Sequence, residues 1–185
     1  MGFSKIKEVK LLLKQYFKDI IAIEEEGSQR LIIDLEPKDI VAMVNQMKDF
    51  MGFEHLSMIS CVDWPEESKF EVVYILTSYS KGNIVAMLKT KIDRKEPKLQ
   101  SIMSLWPQAV TYEIELNEMF GVFFEGNDRM GEEFILEDWD DIPPMRRDFD
   151  SLEYANNTFK FRDERKDKII VREFISEHYD EWRKK

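Results

Sequence analysis

At 185 residues the chain suits a single domain, or one domain with a tail, and it is long enough to bury a sizeable core. Its formal charge of -10, from 27 Lys and Arg against 37 Asp and Glu, argues against a nucleic-acid-binding surface, which takes its affinity from clustered cations. The single cysteine, Cys61, excludes an internal disulfide and the ligation of an iron-sulfur cluster by this chain alone, since a cluster takes about four thiolates.

Ile6, Val9, Leu13, Tyr16, Phe17 and Ile20 recur at helical spacing and predict a helix over residues 4–19 with Ser4 as its N-cap. Lys7, Lys10, Lys14 and Lys18 line the outer side, either as a solvated face or as a contact for acidic lipid or an acidic partner. The run LLLKQYFKDIIAI is broken by Lys14, Lys18 and Asp19 and falls short of the roughly 20 apolar residues of a membrane span. MGFSKIKEVK lacks the apolar stretch of a signal peptide, and Ile6 stands where a myristoylation motif needs Ser or Thr. The expectation is an intracellular protein that cannot cross a bilayer alone.

IAIE and RLIIDLE predict two strands joined through EEGSQ, with Leu31, Ile33 and Leu35 facing inward. Pro37 opens a second helix with Ile40, Val41, Val44, Met47 and Met51 inward and Gly52 as the stop. Three further strands follow in HLSMISCVD, FEVVYILTS and NIVAMLKTKI, the last two joined by a tight reversal at YSKGN. Both faces of these strands carry apolar residues, which predicts an α+β fold with a mixed or antiparallel sheet covered by helices.

A third helix is predicted over residues 107–120, with Gly121 as the left-handed residue that ends it. Ala109, Tyr112, Leu116, Met119 and Phe120 form one stripe, with Val110 and Ile114 placing apolar atoms outside it. Glu113 falls just inside the stripe's edge, Glu115 to one side, and Glu118 on the opposite, solvated or partner-facing side. A carboxylate at such a margin needs a hydrogen-bonding partner. Arg146 or Arg147, in PPMRRDF, is expected to pair with Glu113 and fold the following segment back on the helix.

Residues 121–150 show no usable periodicity, yet Phe134, Ile135, Leu136, Trp139, Ile142, Met145 and Phe149 need burial; a long irregular loop ordered by a partner is expected. Between positions 113 and 141 stand eleven acidic residues and one basic residue, Arg129, either a surface that steers a basic partner or a solvated loop. Residues 1–149 read as one domain and residues 150–185 as an extended, charged docking tail. That tail closes in a short helix bearing Phe174, His178 and Trp182 on one face.

Catalytic, cofactor-binding and metal-binding residues are all expected to be absent. His55 and His178 are far apart, no Glu-x-x-His pair occurs, and EDWDD lacks the alternating ligands and the glycine of a calcium loop. Cys61 reads as a small buried residue within a strand, and there is no glycine-rich phosphate loop or dinucleotide fingerprint. Charged residues at 35%, against about 25% in soluble domains, and only eleven Asn and Gln point towards a thermophile, with ten methionines pointing the other way.

Leu105, Trp106, Pro107 and Ala109 lead into Glu113 and Glu115, then Glu118, Met119, Phe120, Gly121, Val122 and Phe124; further on stand Pro144, Met145, Arg146, Arg147, Asp148 and Phe149. This series resembles the 30 kDa subunit family of NADH:quinone oxidoreductase, respiratory complex I, and its relatives in membrane-bound nickel-iron hydrogenases. The resemblance spans residues 53–149 and takes in CVDW, FEVVYIL and LQSIMSLWPQA. Three departures, Ile114 for an arginine, Gly126-Asn127-Asp128 for Gly-His-Pro, and RMGEEF where an arginine pair is usual, favour a hydrogenase-type or ferredoxin-linked relative.

The resemblance implies a cofactor-free structural subunit, peripheral on the cytoplasmic side of an ion-pumping membrane complex. Its partners would be a hydrogenase-like or quinone-site large subunit and an iron-sulfur small subunit, which carry the iron-sulfur clusters and any nickel-iron centre. Glu113, Glu115, Glu118, Phe120, Gly121, Phe124, Trp139, Pro144, Arg146, Arg147 and Asp148 are then the signature and interface candidates. The alternatives are the equivalent subunit of an NADH- or F420H2:quinone oxidoreductase, or an acidic protein-interaction module.

Overall fold

The computed structural model describes residues 5–17 and 20–159. Lys18, Asp19, the Ser4 cap and the final helix expected around Phe174, His178 and Trp182 lie outside the described residues. The chain divides into two compact units after Phe149.

In the first unit the elements run α1 (Lys5–Tyr16), β1 (Ala22–Glu26), β2 (Arg30–Leu35), α2 (Ile40–Met51), β3 (His55–Trp64), β4 (Lys69–Ser78), β5 (Ile84–Asp93), β6 (Lys98–Gln100), α3 (Ala109–Phe120) and β7 (Phe123–Glu125). The second unit begins with α4 (Ser151–Thr158), capped by the Asp150 carboxylate, which accepts from the Leu152 and Glu153 amides.

Five strands form one mixed sheet in the order β1-β2-β5-β4-β3, in which β2 and β5 run parallel and the other pairs antiparallel. The register places Ile59, Tyr74, Leu88, Ile33 and Ile23 in one row across all five strands. Because side chains alternate across a strand, this row marks one face. Its residues join the buried side chains of α1 (Ile6, Val9, Leu13), α2 (Met43, Val44, Met47) and α3 (Leu116, Phe120) in one hydrophobic cluster. All three helices of this unit therefore pack on that face.

The opposite face is where structure and expectation part. A second row, Met58, Ile75, Met87 and Ile32, carries the apolar residues of the other face, and none belongs to the cluster. Met58, Val62 and Trp64 are exposed there, beside the Lys89–Glu71 and Lys91–Glu67 ion pairs at 3.5 and 2.6 Å. An apolar residue on a strand says that its face prefers cover without saying what supplies it, so helices on both sides could not be told from helices on one.

Smaller differences have local causes. Pro37 opens a short 3-10 turn, and α2 proper begins at Ile40 and ends at Gly52, which is left-handed at φ 71°. Likewise 107–108 form a turn, with Ala109 and Val110 amides bonding back to Trp106 and Pro107, so α3 starts two residues later than expected. Tyr16, expected inward on α1, is exposed. Strands β6 and β7, which pair in parallel, are three residues each and too short to leave a periodic signal.

Candidate subunit interface

Helix α3 organises the second half of this unit. Its apolar stripe packs on β3 and β4, where Phe120 meets Phe70 edge to face at 6.1 Å. Its first turns are tied to the edge strand by side chains: Gln108 Nε2 donates to the Leu56 carbonyl and Tyr112 Oη to that of Ser57. Ile114 is buried as well, so the helix is covered on a second side.

That second side holds Glu113, whose relative exposure is 0%. Its Oε1 accepts the Ile102 amide at 2.9 Å, and its Oε2 accepts Ser101 Oγ at 2.6 Å and Asn127 Nδ2 at 2.9 Å. Asn127 is itself locked, since its Oδ1 accepts the Arg129 amide and its own amide bonds the Phe124 carbonyl. Burial raises the Glu113 carboxyl above its ordinary 4.5, and the three donors pull the other way without cancelling it. The Tyr74 hydroxyl, also pushed up by burial and then by the Glu113 charge, is buried without a hydrogen bond.

The expected pairing of Glu113 with Arg146 or Arg147 is therefore wrong. Three neutral donors hold the carboxylate, and both arginines act elsewhere. Arg146 Nε donates to the Phe120 carbonyl at 2.7 Å while its guanidinium lies 5.3 Å from the Phe70 ring centre. The Arg147 amide donates to Asp63 Oδ2 at 2.9 Å, and its side chain stands 3.7 Å from Glu66.

The segment does fold back on α3, through three consecutive residues at the helix end. Glu118, read as solvated or partner-facing, instead accepts the amides of Phe134, Ile135 and Leu136 at 2.7, 3.0 and 3.2 Å. Successive amides converging on one carboxylate make an anion nest. The Met119 carbonyl accepts the Met145 amide at 3.0 Å, and the Phe120 carbonyl accepts Arg146. Gly121 sits at φ 80°, and a Cβ there would lie 2.6 Å from Arg146 Nη2, so glycine serves both the turn and the guanidinium.

A second cluster ties the 143–149 segment to the sheet. Arg94 bonds Asp63 through Nε at 2.7 Å and Nη2 at 3.0 Å, and Nη2 also reaches Asp148 at 2.8 Å. Burial pushes the Asp63 carboxyl up, but the Arg94 bonds, the Arg147 amide and nearby cations outweigh it and hold the group below 3.8. The Arg94 bond likewise holds Asp148 low. Arg94, Asp63, Ser101 and Asn127 were missed as site residues. Asn127 had a signal as a departure from the resembled Gly-His-Pro, and Asp63 and Ser101 stand in the resembled stretches CVDW and LQSIMSLWPQA; Arg94 had none.

Of the remaining candidates, Phe124 is fully buried in β7, Pro144 is half-buried, and Glu115 is half-exposed to one side of α3. Trp139 packs edge to face on Phe149 at 5.5 Å and donates through Nε1 to the Ile142 carbonyl. Burial pushes the Cys61 thiol up to about 12, which leaves it protonated and a weak nucleophile at neutral pH. Among the described residues no group of three or more His, Cys, Asp or Glu is placed to hold a metal, and no helix is long and apolar enough to cross a membrane. What the arrangement does is present a braced surface.

The model of the respiratory-chain NADH dehydrogenase 30 kDa subunit family matches residues 33–155, from β2 through the braced segment into α4. The chain belongs to that family. Its relatives include the C subunit of the NADH-quinone oxidoreductase of Erythrobacter litoralis, 32% identical over 80% of this chain and 58% of the relative. The C subunit of the F(420)H(2) dehydrogenase of Methanosarcina mazei is 32% identical over 57% of this chain and 66% of its own length. This family member thus spans less than two thirds of both. Among solved structures it matches one polypeptide of the membrane-bound sulfane sulfur reductase, an archaeal respiratory membrane complex, with TM-score 0.78 and 30% identity over 88% of this chain and 98% of that one.

Proposed function

We propose that this protein is a cofactor-free structural subunit of a membrane-bound, ion-pumping oxidoreductase of the hydrogenase-like or ferredoxin-linked kind. It sits peripherally on the cytoplasmic side and packs against the large catalytic subunit, near the iron-sulfur small subunit. Residues 150–185 serve as a docking tail.

The near end-to-end match to the sulfane sulfur reductase polypeptide, 98% of its length at TM-score 0.78, carries this reading, alongside the three sequence departures at Ile114, Gly126-Asn127-Asp128 and RMGEEF. The signature residues support it, because their polar groups are engaged within the chain. Glu113, Glu118 and Arg146 bind backbone and neighbouring side chains, as expected for a scaffold.

The test is recovery of the tagged full-length protein from native membranes. It is expected to elute in a large assembly whose fraction contains iron; elution alone, with neither iron nor nickel, overturns the proposal. The F(420)H(2) dehydrogenase relative favours a second reading, the equivalent subunit of a quinone-reducing complex. Quinone reduction by the recovered complex with NADH or F420H2, and none with reduced ferredoxin, would select it.

A further inference from the structure

The segment braced on α3 keeps large apolar side chains in water. Ile135 is 66% exposed and Met145 58%, and Phe134 and Ile142 are exposed too, although burial was expected for all four. Exposed apolar groups on a loose loop would carry little information, but Phe134, Ile135 and Met145 are fixed by backbone bonds to the end of one helix. Phe134 and Ile135 hang from Glu118, and Met145 from the next residue, Met119. The protein thus maintains an ordered apolar surface against its own solvation preference, which is the mark of an interface.

Charge identifies the kind of partner. Six of the ten residues 132–141 are acidic and none is basic. Glu132 is paired with Arg129, and Glu133 and Asp141 accept backbone amides of the same segment, so their bonds keep the carboxylates in place beside the apolar side chains. An apolar centre with an anionic rim complements an apolar centre with a cationic rim. We infer that residues 132–145 dock a lysine- or arginine-rimmed apolar surface on a neighbouring subunit of the same complex, with Ile135 and Met145 as its anchors. This rests on the proposed function and assigns the docking to this face rather than to the open sheet face bearing Met58.

The test compares assembly of three full-length tagged variants expressed in the native host in place of the wild type: Ile135→Asp with Met145→Asp, Glu137→Lys with Asp140→Lys, and Met58→Asp. All the substituted side chains are exposed, so thermal unfolding of each purified variant should stay near wild type, which separates docking from folding. The apolar pair is expected to reduce recovery of iron-containing partners at least tenfold. The charge-reversed pair should reduce it several-fold and flatten the decline of wild-type recovery with rising salt. Wild-type recovery from both pairs, or loss with Met58→Asp alone, overturns the inference and leaves the proposed function standing. A wild-type protein recovered without iron-containing partners overturns both.

Discussion

Replacing Glu113 by alanine removes the acceptor for three donors at once. The Ile102 amide and the Asn127 side chain are buried and have no route to water, whereas Ser101 is half-buried and its hydroxyl can turn. A buried donor left unsatisfied costs roughly 1–3 kcal/mol, so the two enclosed donors set the loss at about 4 kcal/mol. That is a large share of the roughly 5–15 kcal/mol that holds a domain together. With a urea dependence near 2 kcal/mol per molar, the unfolding midpoint should fall by about 2 M. Glu113→Gln keeps one acceptor oxygen and should lose about half as much.

The sign of the pH effect adds a second check on the same residue. Burial sets the folded Glu113 value above 4.5, so its favourable contribution is fullest below 4.5 and declines as pH rises through the folded value. The stability gap between wild type and Glu113→Gln should therefore narrow with rising pH. Urea titrations of the full-length protein at several pH values, with half-exposed Glu115→Ala as control, measure both effects. A loss below about 1 kcal/mol for Glu113→Ala, within the noise of surface substitutions, would refute the reasoning.

Arg94→Ala strands the nearly buried Asp63 and should cost about 3 kcal/mol at pH 7. Because Asp63 and Asp148 are held below 3.8, that stabilisation is complete above 3.8 and is lost as pH falls through the folded values, so the gap should close in acid unfolding. Gly121→Ala forces a left-handed alanine against Arg146 Nη2 and should destabilise by about 2 kcal/mol in thermal unfolding. Glu118→Ala removes the acceptor of three amides in an exposed segment. It should leave the urea midpoint within about 0.5 M while speeding protease cleavage at 132–137 several-fold, and unchanged cleavage would show that the nest does not brace the segment.

Much of this protein could be read locally. Helical spacing located α1, α2 and α3 to within a few residues, alternation located β2, apolar runs between turn residues located the other strands of the sheet, and the αL glycines at 52 and 121 ended the helices they follow. The order of residues from Leu105 to Phe149 also pointed to the family to which the protein belongs. These features depend on neighbours a few positions apart, where backbone geometry dictates which residues share a face.

The partners of charged groups did not follow from spacing. Glu113 lay at the edge of a stripe whether a guanidinium or three neutral donors waited there. Ser101 and Asn127 come within hydrogen-bonding distance of it only because β6 and β7 pair in parallel across the intervening helix. Glu118 had the pattern of a solvated acid until the backbone returned sixteen residues later with three free amides. Composition alone determined the acidity, the absence of a thiolate set and the apolar content of the loop. Tertiary structure decided which carboxylates are used up internally, which sheet face stays open, and that Ile135 and Met145 remain in water. A long-range contact is chosen by the free energy of the whole packed molecule, and no local pattern carries that information.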